Sequence, residues 1–340
     1  MELSERKKRI DDELQRFFSS QDIGEGEIEK VFSEIPAFIL RGGKRVRPAL
    51  FLEGYKIGGG ERIDECLRAS LSIELCHNYF LMHDDVMDRD AFRRGGKTLH
   101  KAYESDFDSW TSVSLAINTG DYTNTLSFQS ILVCDFPKDR KFEVVKELVE
   151  TQKRVYEGQC LDLILHETPL SKVEVEEVLQ VHRLKTASYT VACPLRMGFL
   201  LSPRAREPAS SEIAESLGVY GREVGTAFQV KDDLLGLFGE EEETGKPVTS
   251  DIEEGKRTLP LVIAYRRGTE SQKEEMKSIV GKKLSENEFK TIREIVKKTD
   301  AKRESEEMAE EMVEEGKRAV GDIESDFLVD LADFIIERSY

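Results

Sequence analysis

Five aspartates fall into two short clusters, and both read as places where a divalent cation would sit. In HNYFLMHDDVMDRD, Asp84, Asp85 and Asp88 stand at i, i+1 and i+4, so on a helix Asp84 and Asp88 share a face and Asp85 neighbours Asp88. Like charges at that spacing destabilise a helix by a few tenths of a kcal/mol and call for a counter-charge. Mg²⁺, held by one or two carboxylates together with phosphate oxygens, is the natural one. A merely solvated acidic face is the bland alternative, and the apolar residues around the cluster (Phe80, Leu81, Met82, Val86, Met87) argue against it. In FQVKDDLLGLFG, Gln229, Asp232 and Asp233 repeat the theme at i, i+3 and i+4.

Basic motifs lie between and around the acids: Lys44, Arg45 and Arg47 in GGKRVRP, Arg93, Arg94 and Lys97 in RRGGKT, the pair Lys185 and Thr186, and Lys246 and Lys256 in TGKPVTSDIEEGKRT. Guanidinium forks take phosphate oxygens two at a time, and lysines act as point charges. A diphosphate brings about −3 to the −5 of the five aspartates, and each like-charge pair at ~4 Å costs ~4 kcal/mol at an effective dielectric of 20. Metal ions must therefore bridge carboxylate to phosphate, with the lysines and arginines offsetting the remainder.

These side chains need rigid carriers, and the carriers read as helices. Only 9 prolines occur in 340 residues, and apolar residues recur at helical spacing, as in Leu67, Leu71, Ile73 and Leu75, and in Val175, Val178, Leu179 and Val181. Capping boxes are expected at Ser171 with Glu174 and at Ser285 with Glu288. Pro48 suits the first turn of a helix that the Gly58, Gly59, Gly60 run ends. No alternating strand is evident, and the pattern predicts about a dozen helices in one all-α domain spanning 1–340. The acidic stretch Glu304–Glu315 reads as a solvated face with Met308 and Met312 turned inward.

A net charge of −17 excludes nucleic acid as a partner. Apolar runs fall short of a membrane span, and the N-terminal segment has no apolar signal core, so a cytoplasmic location is expected. Cys66, Cys76, Cys134, Cys160 and Cys193 form no CxxC pair and read as buried reduced thiols.

Five motifs in order, from GGKRVRP to EGKRT, make the chain resemble the trans-isoprenyl diphosphate synthases, the family of farnesyl and geranylgeranyl diphosphate synthases. The resemblance implies a large helical bundle around a central substrate cavity, Mg²⁺ as cofactor and a homodimer. It implies that Asp84, Asp88 and Asp232 hold Mg²⁺ on an allylic diphosphate, supported by Asp85 and Asp233, while Arg93, Lys185, Lys246 and Lys256 grip the same diphosphate. Lys44, Arg47, His77 and Arg94 would bind isopentenyl diphosphate without metal. The Lys185 carbonyl, Thr186 and Gln229 would place oxygens where positive charge develops, and released diphosphate would take the proton, so no side-chain base is needed. Gln159 and Asp162 match a family pattern that fits either cavity lining or helix packing, and Arg338 resembles a terminal basic residue that closes over isopentenyl diphosphate. Gly236 departs from the third aspartate that many members carry in the second cluster. Tyr79 and Phe80, five and four residues before Asp84, resemble the aromatic pair of farnesyl synthases and imply a fifteen-carbon product, with twenty carbons or a mixture as the alternative. A terpene cyclase or squalene-type enzyme would have no use for GGKRVRP, and a silent partner subunit would tend to lose aspartates that are intact here.

Overall fold

Every residue from Ala69 to Phe80 is buried in the helix Ile63–Met87, so this element is enclosed on all sides rather than half-exposed. Two of its buried serines are satisfied locally: Ser70 and Ser72 donate to the carbonyls of Leu67 and Ala69, each at 2.7 Å. The computed structural model describes residues 3–22, 24–239 and 249–337. Within them the chain is almost wholly helical, and it divides into two compact units, each discontinuous in sequence: Met1–Glu147 with Pro194–Glu207, and Leu148–Cys193 with Pro208–Tyr340.

In the first unit the helix Ser109–Leu132 packs along Ile63–Met87. It starts at Asp108, whose Oδ1 accepts from the backbone N–H groups of Trp110 (3.0 Å) and Thr111 (3.1 Å). The buried face it presents is small, with Ser112, Ala116, Thr119, Gly120 and Thr123, which lets the larger side chains of the Ile63–Met87 helix approach. As the proline and glycines predict, a helix runs over Val46–Ile57.

The second unit is built on the helix Ser210–Phe238, which packs against Ala301–Ala319 and against an eleven-residue π-helical stretch, His182–Ala192. Pro194, just beyond that stretch, has no N–H with which to continue an α-helical ladder. The wider π turn lies against glycines: a Cβ on Gly221 would come within 2.2 Å of Ala192 Cα, one on Gly225 within 2.7 Å of Ala187 Cα, and one on Gly158 within 2.5 Å of the Lys185 nitrogen.

The Ser285–Glu288 capping box is present. At the other expected site the structure corrects the reading: Leu170–Lys172 is a 3₁₀ turn that absorbs Ser171, and the following helix is capped three residues later, by Glu174 with Glu177. A two-stranded hairpin, Phe92–Arg93 with Gly96–Lys97, was not expected. Cys160 is exposed, unlike the other four cysteines, because it faces outward on the helix Lys138–Glu167. On Ala301–Ala319 it is Ser305, Ala309 and Val313 that turn fully inward, with Met308 and Met312 half-buried beside them. Among the described residues no helix is long and apolar enough to cross a membrane.

The glycine contacts give a test in which propensity and packing oppose each other. Alanine at 221 should favour the helix by roughly 0.5–1 kcal/mol, yet its methyl meets backbone rather than a flexible side chain. Overpacking of about 1–3 kcal/mol wins, so Gly221→Ala should lower the denaturation midpoint; a raised midpoint would show that the π-helical contact yields freely.

Candidate active site

The first aspartate cluster closes the Ile63–Met87 helix. Asp88 is its C-cap, and the chain turns left-handed at Arg89 (φ 59°). Arg89 N donates to Val86 O at 3.4 Å and Asp90 N to Asp85 O at 3.0 Å, the bond pair of a Schellman closure made without its usual glycine. A helix C-terminus carries partial negative charge, so three carboxylates there repel both one another and the helix end. Asp85 is only 1% exposed. Burial pushes its carboxyl up to about 6, against the pull of the Arg93 guanidinium, whose Nε donates to Asp85 Oδ1. Asp84 and Asp88 are half-buried.

The basic groups of this unit are aimed by unusual backbone. Arg94 (φ 49°) and Gly95 (φ 73°) form the two-residue turn of the hairpin, a turn that demands positive φ at both positions. Arg94 Nη1 then donates to Gly42 O at 2.6 Å, joining the hairpin to the GGKRVRP loop, and Arg41 Nη1 donates to Lys97 O at 2.5 Å. Within the loop Arg45 (φ 52°) turns its side chain wholly inward. Its Nε donates to Asp11 Oδ1 (2.8 Å), its Nη2 to Ile39 O (2.8 Å) and its Nη1 to Glu74. Burial works against this charge, but Glu74 and Asp11 more than compensate and hold the guanidinium above its ordinary value. Lys44 is exposed and Arg47 half-buried on either side of it. His77 is buried, and burial first, then the charges of Arg47, Arg94, Arg93 and Arg45, keep its imidazole well below the usual histidine range and therefore neutral. The expected grouping of His77, Arg47 and Arg94 is thus brought together; the inward bonds of Arg45 to Glu74 and Asp11 were not foreseen.

In the second unit a cavity of about 170 Å³ is lined by Asp162, Lys185, Thr186, Gln229, Asp233 and Lys256, among others. Lys185 Nζ donates to Asp162 Oδ2 at 2.7 Å, and His166 Nε2 lies 3.4 Å from Asp162 Oδ1. Despite burial, which opposes its charge, His166 and Lys185 hold the Asp162 carboxyl well below the usual range. Asp162 therefore lines the cavity. Asp233 Oδ2 accepts from the backbone N–H of Leu259 at 2.9 Å and lies 3.2 Å from His182 Nε2, so it also caps the helix Leu259–Arg267. Asp232 is half-buried. Lys256 Nζ pairs with Asp251 Oδ1 (3.0 Å) and Glu254 Oε2 (2.8 Å). At the departure from the family pattern, a Cβ on Gly236 would stand 2.7 Å from Asp251 Oδ2, so another carboxylate occupies the room beside it. Lys246 and Arg338 lie outside the described residues. His182 and Asp251 were missed; only their neighbourhood to the Lys185 pair and to EGKRT could have pointed to them.

Among the described residues no three His, Cys, Asp or Glu side chains form a ready metal cage. The donors present are hard carboxylate oxygens, which suit an ion completing its shell with phosphate and water.

A family model, polyprenyl synthetase, matches residues 29–298. The geranylfarnesyl diphosphate synthase of Aeropyrum pernix is 33% identical over 88% of this chain and 92% of its own length. A short chain isoprenyl diphosphate synthase of Methanocaldococcus jannaschii is 33% identical over 85% of this chain and 81% of its own. Among solved structures, geranylgeranyl pyrophosphate synthase from Corynebacterium glutamicum, complexed with isoprenyl diphosphate and magnesium, superposes with a TM-score of 0.89 at 29% identity, covering 100% of both chains. With a helical fold, two aspartate clusters and the matching extent of the family model, this chain belongs to the polyprenyl synthetase family, the trans-isoprenyl diphosphate synthases, and is a prenyltransferase.

Proposed function

We propose that the chain joins isopentenyl diphosphate head to tail to allylic diphosphates with Mg²⁺ and stops at fifteen carbons, giving farnesyl diphosphate. The observation that carries the product length is the ring pair one helical turn before the first aspartate cluster. Tyr79 and Phe80 are 6% and 7% exposed, with ring centroids 5.0 Å apart. At 1.5 Å rise per residue they lie roughly 6–8 Å along the helix from Asp84, where a growing prenyl tail would meet them. The relatives named geranylgeranyl and geranylfarnesyl synthases favour a second reading, a product of twenty carbons or more.

Asp84, Asp88 and Asp232 are the carboxylates for Mg²⁺, with Asp85 and Asp233 held back by Arg93 and by Leu259 N–H respectively. Bound Mg²⁺ supplies charge that stabilises the departing diphosphate. Arg93, Lys185 and Lys256 grip that diphosphate, and Lys246 is assigned to it by the motif alone. The allylic C–O bond breaks with its electron pair leaving on diphosphate, the isopentenyl double bond forms the new C–C bond, and a proton passes to the released diphosphate. Thr186, Gln229 and the Lys185 carbonyl place oxygens near the transient cation. Lys44, Arg47, Arg94 and the uncharged His77 receive isopentenyl diphosphate.

A homodimer fits the surface as well. Along the helix Lys138–Glu167, Val149, Tyr156 and Leu163, all in the second unit, are exposed at seven-residue intervals, a stripe that repeats at coiled-coil spacing. Sedimentation should return twice the chain mass; a monomer at micromolar concentration would remove this reading.

Asp84→Ala and Asp232→Ala should each lower kcat by about 10²–10³-fold in a folded protein. Arg94→Ala should instead raise KM for isopentenyl diphosphate more than that for the allylic partner. Wild-type turnover in the aspartate variants, or an unchanged isopentenyl KM in the arginine variant, would overturn these roles. For product length, the mass of the product from isopentenyl and dimethylallyl diphosphates decides between fifteen and twenty carbons. Phe80→Ala and Tyr79→Ala should each add at least one isoprene unit, and identical chromatograms for both would place the floor elsewhere.

A further inference from the structure

The Tyr79 ring does not stand alone. It also meets the imidazole of His83, one turn on, in an edge-type contact with centroids 4.7 Å apart. His83 is itself tethered to the neighbouring helix Ser109–Leu132: its Nε2 lies 3.2 Å from Ile117 O and 3.5 Å from Asp121 Oδ1. The seat for this ring is Gly120. A Cβ there would fall 2.4 Å from His83 Cδ2 and 2.5 Å from Nε2, inside any tolerable contact, and 3.6 Å from Tyr79 Cδ2. Glycine within a helix costs roughly 0.5–1 kcal/mol relative to alanine, so the notch carries a cost that the seated imidazole explains.

We propose that His83, seated in the Gly120 notch, is a positioning residue for product length that holds the Tyr79 ring in place against the growing chain. The proposal rests on the reading that Tyr79 and Phe80 close the channel. A phenol ring in contact with both Phe80 and the tethered His83 has less freedom to swing aside than one packed against Phe80 alone. Without the imidazole, Tyr79 gains room along the small-residue face of Ser109–Leu132, and the floor opens.

Products formed from isopentenyl and dimethylallyl diphosphates with Mg²⁺ are measured by mass for His83→Ala, His83→Phe and Gly120→Ala, beside Tyr79→Ala, with circular dichroism to establish folding. His83→Ala should lengthen the main product by one isoprene unit. Gly120→Ala should do the same, because its methyl takes the place of the imidazole. His83→Phe keeps a ring against Tyr79 and should retain the parent length. If Tyr79→Ala lengthens the product while His83→Ala and Gly120→Ala do not, the clamp is refuted and the floor stands. Should Tyr79→Ala also give the parent product, the floor reading falls and the clamp falls with it. Equal lengthening in His83→Phe and His83→Ala would overturn the ring contact as the cause. A general loss of fold would lower turnover without moving product length, so the mass readout separates positioning from mere stability.

Discussion

Carboxylates gathered at a helix C-terminus are the constraint on which the site depends. The end of Ile63–Met87 already bears partial negative charge, and Asp84, Asp85 and Asp88 add three more carboxyl groups within its last turn. The unbound protein answers this with Arg93 on Asp85 and with burial that favours the protonated acid. It also spends backbone energy there, because Arg89 adopts a left-handed conformation that costs a non-glycine residue ~1–2 kcal/mol. Strain and repulsion persist at this point because the rest of the helix is enclosed from Ala69 to Phe80 and cannot yield. On the proposed function, Mg²⁺ held by Asp84 and Asp88 would offset this charge.

The basic side follows the same logic in reverse. Arg45, Arg47, Arg93 and Arg94 all bear on His77, and the carboxylates that answer Arg45 are Glu74 and Asp11. Arg45, committed to that buried pairing, shapes the loop between Lys44 and Arg47, the residues proposed for isopentenyl diphosphate. Removing one partner of such a buried pair would leave an uncompensated charge, so the pairing is costly to break.

Much of the chemistry was legible because it depends on residue type at short spacing. Asp84 with Asp88, the GGKRVRP run, the Pro48 helix and the Ser285 cap all declare themselves within five to fifteen residues. What escaped depends on long-range contact or on unfavoured backbone. The hairpin turns on Arg94 and Gly95, and arginine gives no warning of positive φ. Asp233 also accepts from the backbone of Leu259, twenty-six residues on, a contact its local spacing does not announce. Ser171 offered a sound cap, and a 3₁₀ turn took it instead. Nothing near His83 in the sequence announces its seat at Gly120, thirty-seven residues away.

The π-helical stretch His182–Ala192 has a consequence for how this chain can change in length. A π turn amounts to an α-helix carrying an extra residue, so removing one residue would let it relax to the commoner form. Side chains within the stretch would then rotate by up to about 100°, while those beyond it keep their phase, because the wider turn had absorbed the extra residue. Lys185 and Thr186 precede or follow that pivot according to where the residue is lost, and Ala187 and Ala192 would leave the glycine notches that receive them. Surface loops elsewhere absorb insertions and deletions with little effect. Here the residue count acts as a phase setting between the lysine that meets Asp162 and the packing behind it, and a single-codon indel would detune both at once.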